Sequence, residues 1–311
     1  MRETNYKIPT AVLAICACFM WSTAFAAIKI GQQEYFQPFS FAGIRFMLSG
    51  LLLLPFWGGL AKNIQPITAN WRKILVLAIV NTFLHYGLFY TSIFQLPGAL
   101  VAIIVGSSPL ITATIAHFFV RGEHISGRKL TAILFGISGI IRLSLDRSFS
   151  SNMGSMDLVY ILMLIGAVTC AVIGSVIVAK QPEAKPISPI VLTSTQIFLG
   201  GSMLFIVSLF AEGTPQILNK SWKFYSALLW LSFISAAAFS IWFVILKRPN
   251  VSVTDINQWK FIIPFFGAIL SWLFVSGESP TTNSITGMSL ILASVLFYEF
   301  IKQKELTKLD T

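Results

Sequence analysis

Apolar stretches of about twenty residues recur along this chain with only short polar breaks between them, a pattern that a soluble fold cannot accommodate. A bilayer core of about 30 Å needs roughly 20 residues of helix, because no water is present to satisfy open backbone groups. Ten segments meet or approach that requirement: 9–29, 38–58, 73–95, 99–120, 128–145, 156–179, 188–211, 224–246, 254–276 and 284–301. Charged residues make up only 11% of the 311, and mean hydropathy is +0.77, so there is too little charge to cover a soluble surface. The expected fold is an all-α polytopic membrane protein of ten transmembrane helices, with no room for a soluble domain. Three segments are imperfect: the second contains Arg45, the ninth contains Lys260, and the fifth is uncharged only between Lys129 and Arg142. Arg142 can reach the interface along its aliphatic stem. The stretch from Ile8 to Ile28 is too long for a signal-peptide core and runs into Lys29 without a small-residue cleavage pattern, so it is expected to stay as a helix.

Loop charges test the count. With the N-terminus in the cytoplasm, the opposite face collects only Lys29, Arg142, Arg147, Lys220 and Lys223. Arg45 and Lys260 lie within spans, and the other fifteen of the 22 Lys and Arg residues fall on the cytoplasmic side. That asymmetry places both termini inside and requires an even number of helices. It also accounts for the net charge of +10 without nucleic acid. The two halves read alike. A shift of 151 lays Lys29 on Lys180, Pro38 on Pro189, Gly50 on Gly201 and Trp71 on Trp222. A shift of 155 lays Pro109 on Pro264, Gly122-Glu123 on Gly277-Glu278, and Thr131 on Thr286. Since five is odd, the second copy begins on the opposite face. The expected plan is two inverted five-helix repeats, residues 1–150 and 151–311, an arrangement that lets a carrier present one central site to each face in turn.

The fragments FMWSTAFAAIKIG and PFSFAGIRFMLSGLLLLPF cover helices 1 and 2, and the run from LFYTSIFQLPGALVAIIVGSSPLITATIAHFF to VRGEHISGRKLTAILFGISGIIRL covers helices 3 to 5. The run VSVTDINQWKFIIPFFGAILSWLFVSGESPTTNSITG repeats the pattern in helices 9 and 10. In this order and duplicated, they resemble the EamA family of the drug/metabolite transporter superfamily. The resemblance covers nearly the whole chain and implies a ten-helix carrier at the inner membrane, often an exporter of amino acids or other small metabolites. It further implies a central cavity lined by helices 1–4 and 6–9, with helices 5 and 10 peripheral. Two departures stand out: Arg45 has Gln196 as its counterpart, and helix 6 lacks a tryptophan matching Trp21.

Several residues could carry the chemistry of a solute site. Pro109 and Pro264 sit at matching places within helices, where each frees the carbonyl four residues earlier, either as a packing kink or as paired hinges beside a solute site. Asn257, Lys260, Pro264 and Ser271 share one helical face, so Lys260 either attracts an anionic group such as a carboxylate or snorkels to the cytoplasmic interface. No carboxylate sits mid-span to pair with it; Glu34, Glu123, Asp157, Asp255, Glu278 and Glu299 all lie near helix ends. Arg45 is read as structural, bonding carbonyls or a helix end. Glu123 and Glu278 follow glycines at helix ends and are read as fixing tight turns. The third helix is densest in polar and aromatic residues: Asn81, His85 and Ser92 form a stripe beside Thr82, Tyr86 and Tyr90. His85 is either satisfied by a neighbouring helix or a candidate for a proton-coupled step. The substrate-binding candidates are therefore Trp21, Asn81, His85, Tyr86, Tyr90, Asn257 and Lys260, and Trp242 and Trp259 remain packing residues or site walls. Runs such as Ser49-Gly50, Gly200-Gly201-Ser202 and 235–238 are expected to let helices approach closely. Cys16, Cys18 and Cys170 are read as buried apolar thiols.

The chain carries no serine–histidine pair, paired aspartates or HExxH pattern that an intramembrane enzyme would need, and no filter-like segment. No enzyme, cofactor or metal is expected. A channel, a receptor or an intramembrane enzyme stands as the alternative to a carrier. The expected partners are a small-molecule substrate and the lipid bilayer, and a monomer is compatible with this plan.

Overall fold

The computed structural model describes residues 8–93, 95–96, 101, 104–106, 108–119, 125–144, 155–249, 251–274 and 280–309. Helix is the only regular secondary structure among them. Segment 1 forms α1 (Thr10–Gln32) and segment 2 forms α2 (Pro38–Leu52). A turn of 3-10 helix, Leu54–Trp57, leads to α3 (Leu60–Ala69). Segment 3 comprises α4 (Trp71–Leu77), a π-helical stretch Ala78–Leu84, and α5 (His85–Ile93). Then come α6 (Ser108–Phe119), α7 (Gly127–Ser144), α8 (Ser155–Lys180), α9 (Pro189–Ala211) and α10 (Trp222–Leu246). Segment 9 divides into α11 (Val253–Asn257), a 3-10 turn Gln258–Phe261 and α12 (Ile262–Phe274); α13 (Thr282–Leu309) closes the described chain.

Among the described residues, six helical stretches are long and apolar enough to cross a membrane: Thr10–Ile28, Trp71–Ile93, Leu158–Lys180, Pro189–Ala211, Trp222–Leu246 and Thr282–Ile301. The second segment is shorter than its sequence suggests. Pro55 has no N–H to carry the α-helical ladder on, and the chain tightens into the 3-10 turn, so α2 stops at Leu52. Gly58 and Gly59, at φ 69° and 112°, then redirect the chain. Beyond them α3 forms in a stretch that lies between two expected segments. α3 exposes Leu60 and Ile64, while Asn63 is buried and donates to the carbonyls of Trp57 and Gly59 at 2.8 and 2.7 Å. This amphipathic piece suits the membrane–water boundary. The cysteines also need correction. Cys18 is buried, but Cys16, two residues away on the opposite helix face, is exposed, and Cys170 is half-buried.

Helix starts follow the sequence closely. Pro38 and Pro189 each open a helix, where a missing N–H costs nothing. Trp71 and Trp222 open α4 and α10, one residue after Asn70 and Ser221. The principal packing partners exchange under the same shift. α2 packs on α9; α1 packs on α10 as α8 packs on α5 and the π-helical stretch; α1 packs on α12 as α8 packs on α6. α7 and α13 pack on each other. Together with Ala113 and Phe261 they form a second core, separate from the larger one built on α1, α2, α5, α8, α9 and α10.

The α2–α9 seam is nearly bare backbone. A Cβ at Gly43 would stand 2.7 Å from the Phe205 nitrogen, and one at Gly201 would stand 2.8 Å from Phe46 Cβ and 3.0 Å from the Gly43 carbonyl. Ser194 donates across the seam to the Gly50 carbonyl at 2.7 Å, and Ser49 of α2 donates to the Ser232 carbonyl of the neighbouring α10 at 2.9 Å. The small-residue runs do bring helices this close, and the gain is dense contact in a solvent that offers no hydrophobic drive between helices.

Polar tethers hold the helix ends. Glu34, beyond the end of α1, accepts from the Ser221 nitrogen at 2.8 Å and from its hydroxyl at the start of α10. At the other end of α10, Lys247 pairs with Glu183 and donates to the Ile187 carbonyl at 2.6 Å. Glu183 also faces the buried Lys73 at 3.8 Å. Glu212 accepts from the nitrogens of Phe39 and Ser40 at 2.8 and 2.9 Å, the unsatisfied first turn of α2. Asn70, ahead of α4, bonds the Lys185 carbonyl and the Ala184 nitrogen, as Ser221 bonds Glu34. Asp255 accepts from Tyr298 at 2.9 Å and pairs with Lys129 at 3.4 Å.

The bonds from Ser221 hold the Glu34 carboxyl below its ordinary value of 4.5. A carboxyl depressed in the folded state adds stability above its unfolded value, and that stability is lost as pH falls through the folded value. Glu34→Gln is therefore expected to lower the thermal midpoint at neutral pH. The gap to the unsubstituted protein should close as pH drops below about 4.5. An unchanged gap at acid pH, measured by melting in detergent, would refute this.

Candidate functional site

Aromatic rings from four helices meet in one continuous cluster. Trp21 of α1 lies with its ring centroid 5.1 Å from Trp242 and 5.6 Å from Phe239, both on α10. Phe239 is 6.4 Å from Tyr86 of α5, which is 4.3 Å from Phe46 of α2, 4.4 Å from His85 and 6.4 Å from Tyr90. The rings contribute apolar area and present their faces to positive charge.

A cation stands at each end of this cluster. The Lys260 ammonium is 4.9 Å from the Trp242 centroid and 5.9 Å from that of Trp21. Its backbone belongs to the 3-10 turn Gln258–Phe261, which ends three residues before Pro264. Proline at 264 has no N–H for the Lys260 carbonyl, and the tightened turn occupies that place. At the other end, the Arg45 guanidinium carbon lies 4.3, 5.1 and 5.5 Å from the ring centroids of Phe46, Tyr86 and Tyr90. Arg45 is only 3% exposed, yet its Nε and Nη1 have no hydrogen-bond partner. Thus the residue expected to bond carbonyls or a helix end lies against three rings, with two nitrogens undonated.

His85 sits between the cations, close enough to interact electrostatically with both. Its Nδ1 is 2.7 Å from the Ala167 carbonyl of α8. A carbonyl only accepts, so the ring donates from Nδ1, and in the neutral form Nε2 carries the lone pair. The π-helical stretch just before His85 sets the local register. It buries Asn81 against Gly174 of α8 and Thr82 against Gly200 of α9. Thr82 donates to Gln196 at 2.8 Å, so Gln196 faces the same span as Arg45, its counterpart in the other half.

The structure therefore brings together Trp21, His85, Tyr86, Tyr90 and Lys260 from the sequence-expected set. Asn81 faces α8, and Asn257, fully buried, donates to the Val253 carbonyl at 2.8 Å one turn before Lys260, with its Oδ1 unpartnered. Pro109 lies in helix, with residues 104–106 helical before it and residue 107 between them outside the described residues, so the described residues neither show nor exclude a kink or hinge there. Glu123, Glu278 and the side chain of Ser271 also lie outside them. Phe46 and Phe239 were missed. Phe46 is adjacent to Arg45, and Phe239 precedes Trp242 by three, a helical spacing that marks a shared face.

Among the described residues no carboxylate forms an ion pair within this cluster. Glu34, Glu183, Glu212 and Asp255 are each engaged at helix ends, and among the described residues none pairs with Arg45 or Lys260. Chemically the cluster offers apolar ring area flanked by two cations, the groups that attract apolar bodies and acidic groups respectively.

Comparison with known proteins agrees with this picture. The model of the EamA-like transporter family matches residues 8–145 and again 158–299. An uncharacterized transporter of Synechocystis sp. is 25% identical, over 99% of this chain and 94% of its own. The uncharacterized transporter YvbV of Bacillus subtilis is also 25% identical, over 93% and 91%. A solved crystal structure, 16% identical, superposes with a TM-score of 0.78 over 95% of this chain and 98% of that one, and shows the fold alone. Apolar helices and relatives alike describe a multi-pass membrane transporter, and the chain belongs to the EamA-like transporter family of the drug/metabolite transporter superfamily.

Proposed function

We propose that the protein is a secondary transporter that exports small metabolites across the inner membrane by alternating access. Its substrates are amino-acid-like or other small amphipathic or anionic solutes, and export is the direction the family resemblance implies. The observation that carries this reading is the convergence of Trp21, Arg45 and Tyr86 from one half with Trp242 and Lys260 from the other in a single cluster. A site shared between two halves is what an inverted-repeat carrier needs, since tilting one half on the other exposes it to either face. Two inverted five-helix repeats, 1–150 and 151–311, make up the frame, with ten spans and both termini cytoplasmic. The double match of the family model, the exchange of packing partners under the 151-residue shift and the loop-charge asymmetry support this frame.

Counterflow tests the reading. Proteoliposomes loaded with unlabelled solute are expected to accumulate the labelled solute transiently, because a carrier returns loaded faster than empty. Flux that is insensitive to solute on the far side would favour a channel, and no flux from folded protein would favour a receptor.

A further inference from the structure

Two positive side chains face the rings between them, and no carboxylate among the described residues pairs with either. Lys260 makes no hydrogen bond or ion pair with any described residue; it faces the rings of Trp21 and Trp242, with the Cys18 thiol and His85 near enough to feel its charge. Arg45 is stacked on Phe46, Tyr86 and Tyr90 and interacts with the Tyr86 hydroxyl, but two nitrogens of its edge, Nε and Nη1, stay without a partner. With the residue 3% exposed, the bare Nε and Nη1 are donors withdrawn from water and given nothing in return. Such a group is costly unless a ligand completes it, and a planar fork is best completed by a carboxylate. The zwitterionic head of an ordinary amino acid suits this site poorly. Its ammonium would stand among two like charges, whereas an acid anionic at both ends pairs with both.

We propose that the site takes a small organic dianion, with one carboxylate on Arg45, the other near Lys260 and the body against the intervening rings, and that the carrier exchanges such anions one for one. The proposal rests on the carrier reading above and adds to it a substrate class and a coupling rule. The coupling follows from occlusion. A carrier must close over its site before opening to the other face, and closing strips water from whatever charge the site holds. With a dianion bound, the two cations are paired and the occluded state is neutral. With the site empty they are bare, so the empty carrier returns slowly and net movement stalls unless an anion travels each way. Rings at both cations ease this cost without removing it, because a ring face carries only a partial negative charge.

Full-length protein in nanodiscs is to be titrated with the α,ω-dicarboxylates from malonate to suberate and with terephthalate. Benzoate serves as the monoanion and phenylalanine as the zwitterion, and the fluorescence of Trp21 and Trp242 is the readout. One dicarboxylate or more is expected to bind roughly ten-fold or more tightly than benzoate, the size of one charge-assisted contact, and phenylalanine is expected to bind most weakly. Arg45→Gln should remove that margin and Arg45→Lys should restore part of it, so a fall with both variants folded to the same melting temperature is a charge effect. Phenylalanine binding as tightly as the best dicarboxylate, or none of the acids binding, overturns the substrate class. The best-binding acid, labelled, is then offered to proteoliposomes either empty or preloaded with the same acid. Uptake into preloaded vesicles alone is expected, and equal uptake into empty ones overturns the exchange. Binding without uptake into either kind of vesicle overturns the exchange and the carrier reading together, and leaves the anion site standing.

Discussion

Gly201→Leu is expected to cost the protein most of its thermal stability. A Cβ there would stand 2.8 Å from Phe46 Cβ, 2.9 Å from the Met47 nitrogen and 3.0 Å from the Gly43 carbonyl. Two of those three atoms are backbone, so no rotamer change makes room, and α2 and α9 must separate. Overpacking a dense interior costs about 1–3 kcal/mol even where side chains can shift. With backbone opposite, we expect the upper end or more. At roughly 2–4 °C per kcal/mol, the melting midpoint should fall by about 10 °C. Separation would also break the Ser194 bond to Gly50, which holds the same interface in register. Gly267 is the control, since nothing stands within 4 Å of where its Cβ would be. Gly267→Ala should melt with the unsubstituted protein. A seam variant that melts there too would show that α2 and α9 are not held in this contact.

Lys260→Met separates stability from function. Methionine nearly matches lysine in length and apolar volume, so the contacts with Trp21 and Trp242 persist in large part while the charge goes. Placing a lysine within a span costs about 2.5–3.5 kcal/mol on insertion scales, so its removal should leave the melting point unchanged or raise it. A contact between a charged donor and an acidic solute is worth about 1.5–3 kcal/mol, so the half-saturation concentration for transport should rise roughly ten-fold or more. A residue present only for packing would show the opposite pattern, with melting altered and transport intact. Normal transport with unchanged affinity in Lys260→Met would exclude the lysine from the site.

Much of the frame is legible in the sequence because the bilayer makes local patterns decisive. Pro38, Pro189, Trp71 and Trp222 announce helix starts at matching places, and the structure begins helices at all four. The tightened turn at Gln258–Phe261 lies where Pro264 withholds an N–H. The features that the sequence hides depend on neighbours. α3 is too polar to register as a span and too short to register as a soluble helix, and its position rests on the bonds of Asn63. The π-helical stretch Ala78–Leu84 places Asn81 against α8 and Thr82 against Gln196 of α9, and no local signal fixes that extra width. Arg45 reads as structural because sequence shows a cation's depth but not the rings it faces. Those rings come from α2 and from α5, and only the packing of the two helices reveals them. The asymmetry of the cluster is visible in the chain itself, since Arg45 is matched by Gln196 and the second half has no equivalent of Trp21.

α10 carries Phe239 and Trp242 into the site, and its two ends are moored by different carboxylates, Glu34 at Ser221 and Glu183 at Lys247. At about 1.5 Å per residue, its 25 residues span some 37 Å, enough to reach from one rim of the membrane to the other. It is thus loaded like a beam fixed at both ends. Slack introduced at either mooring is therefore expected to displace the two rings between, so each rim holds a separate adjustment of the same aromatic cluster.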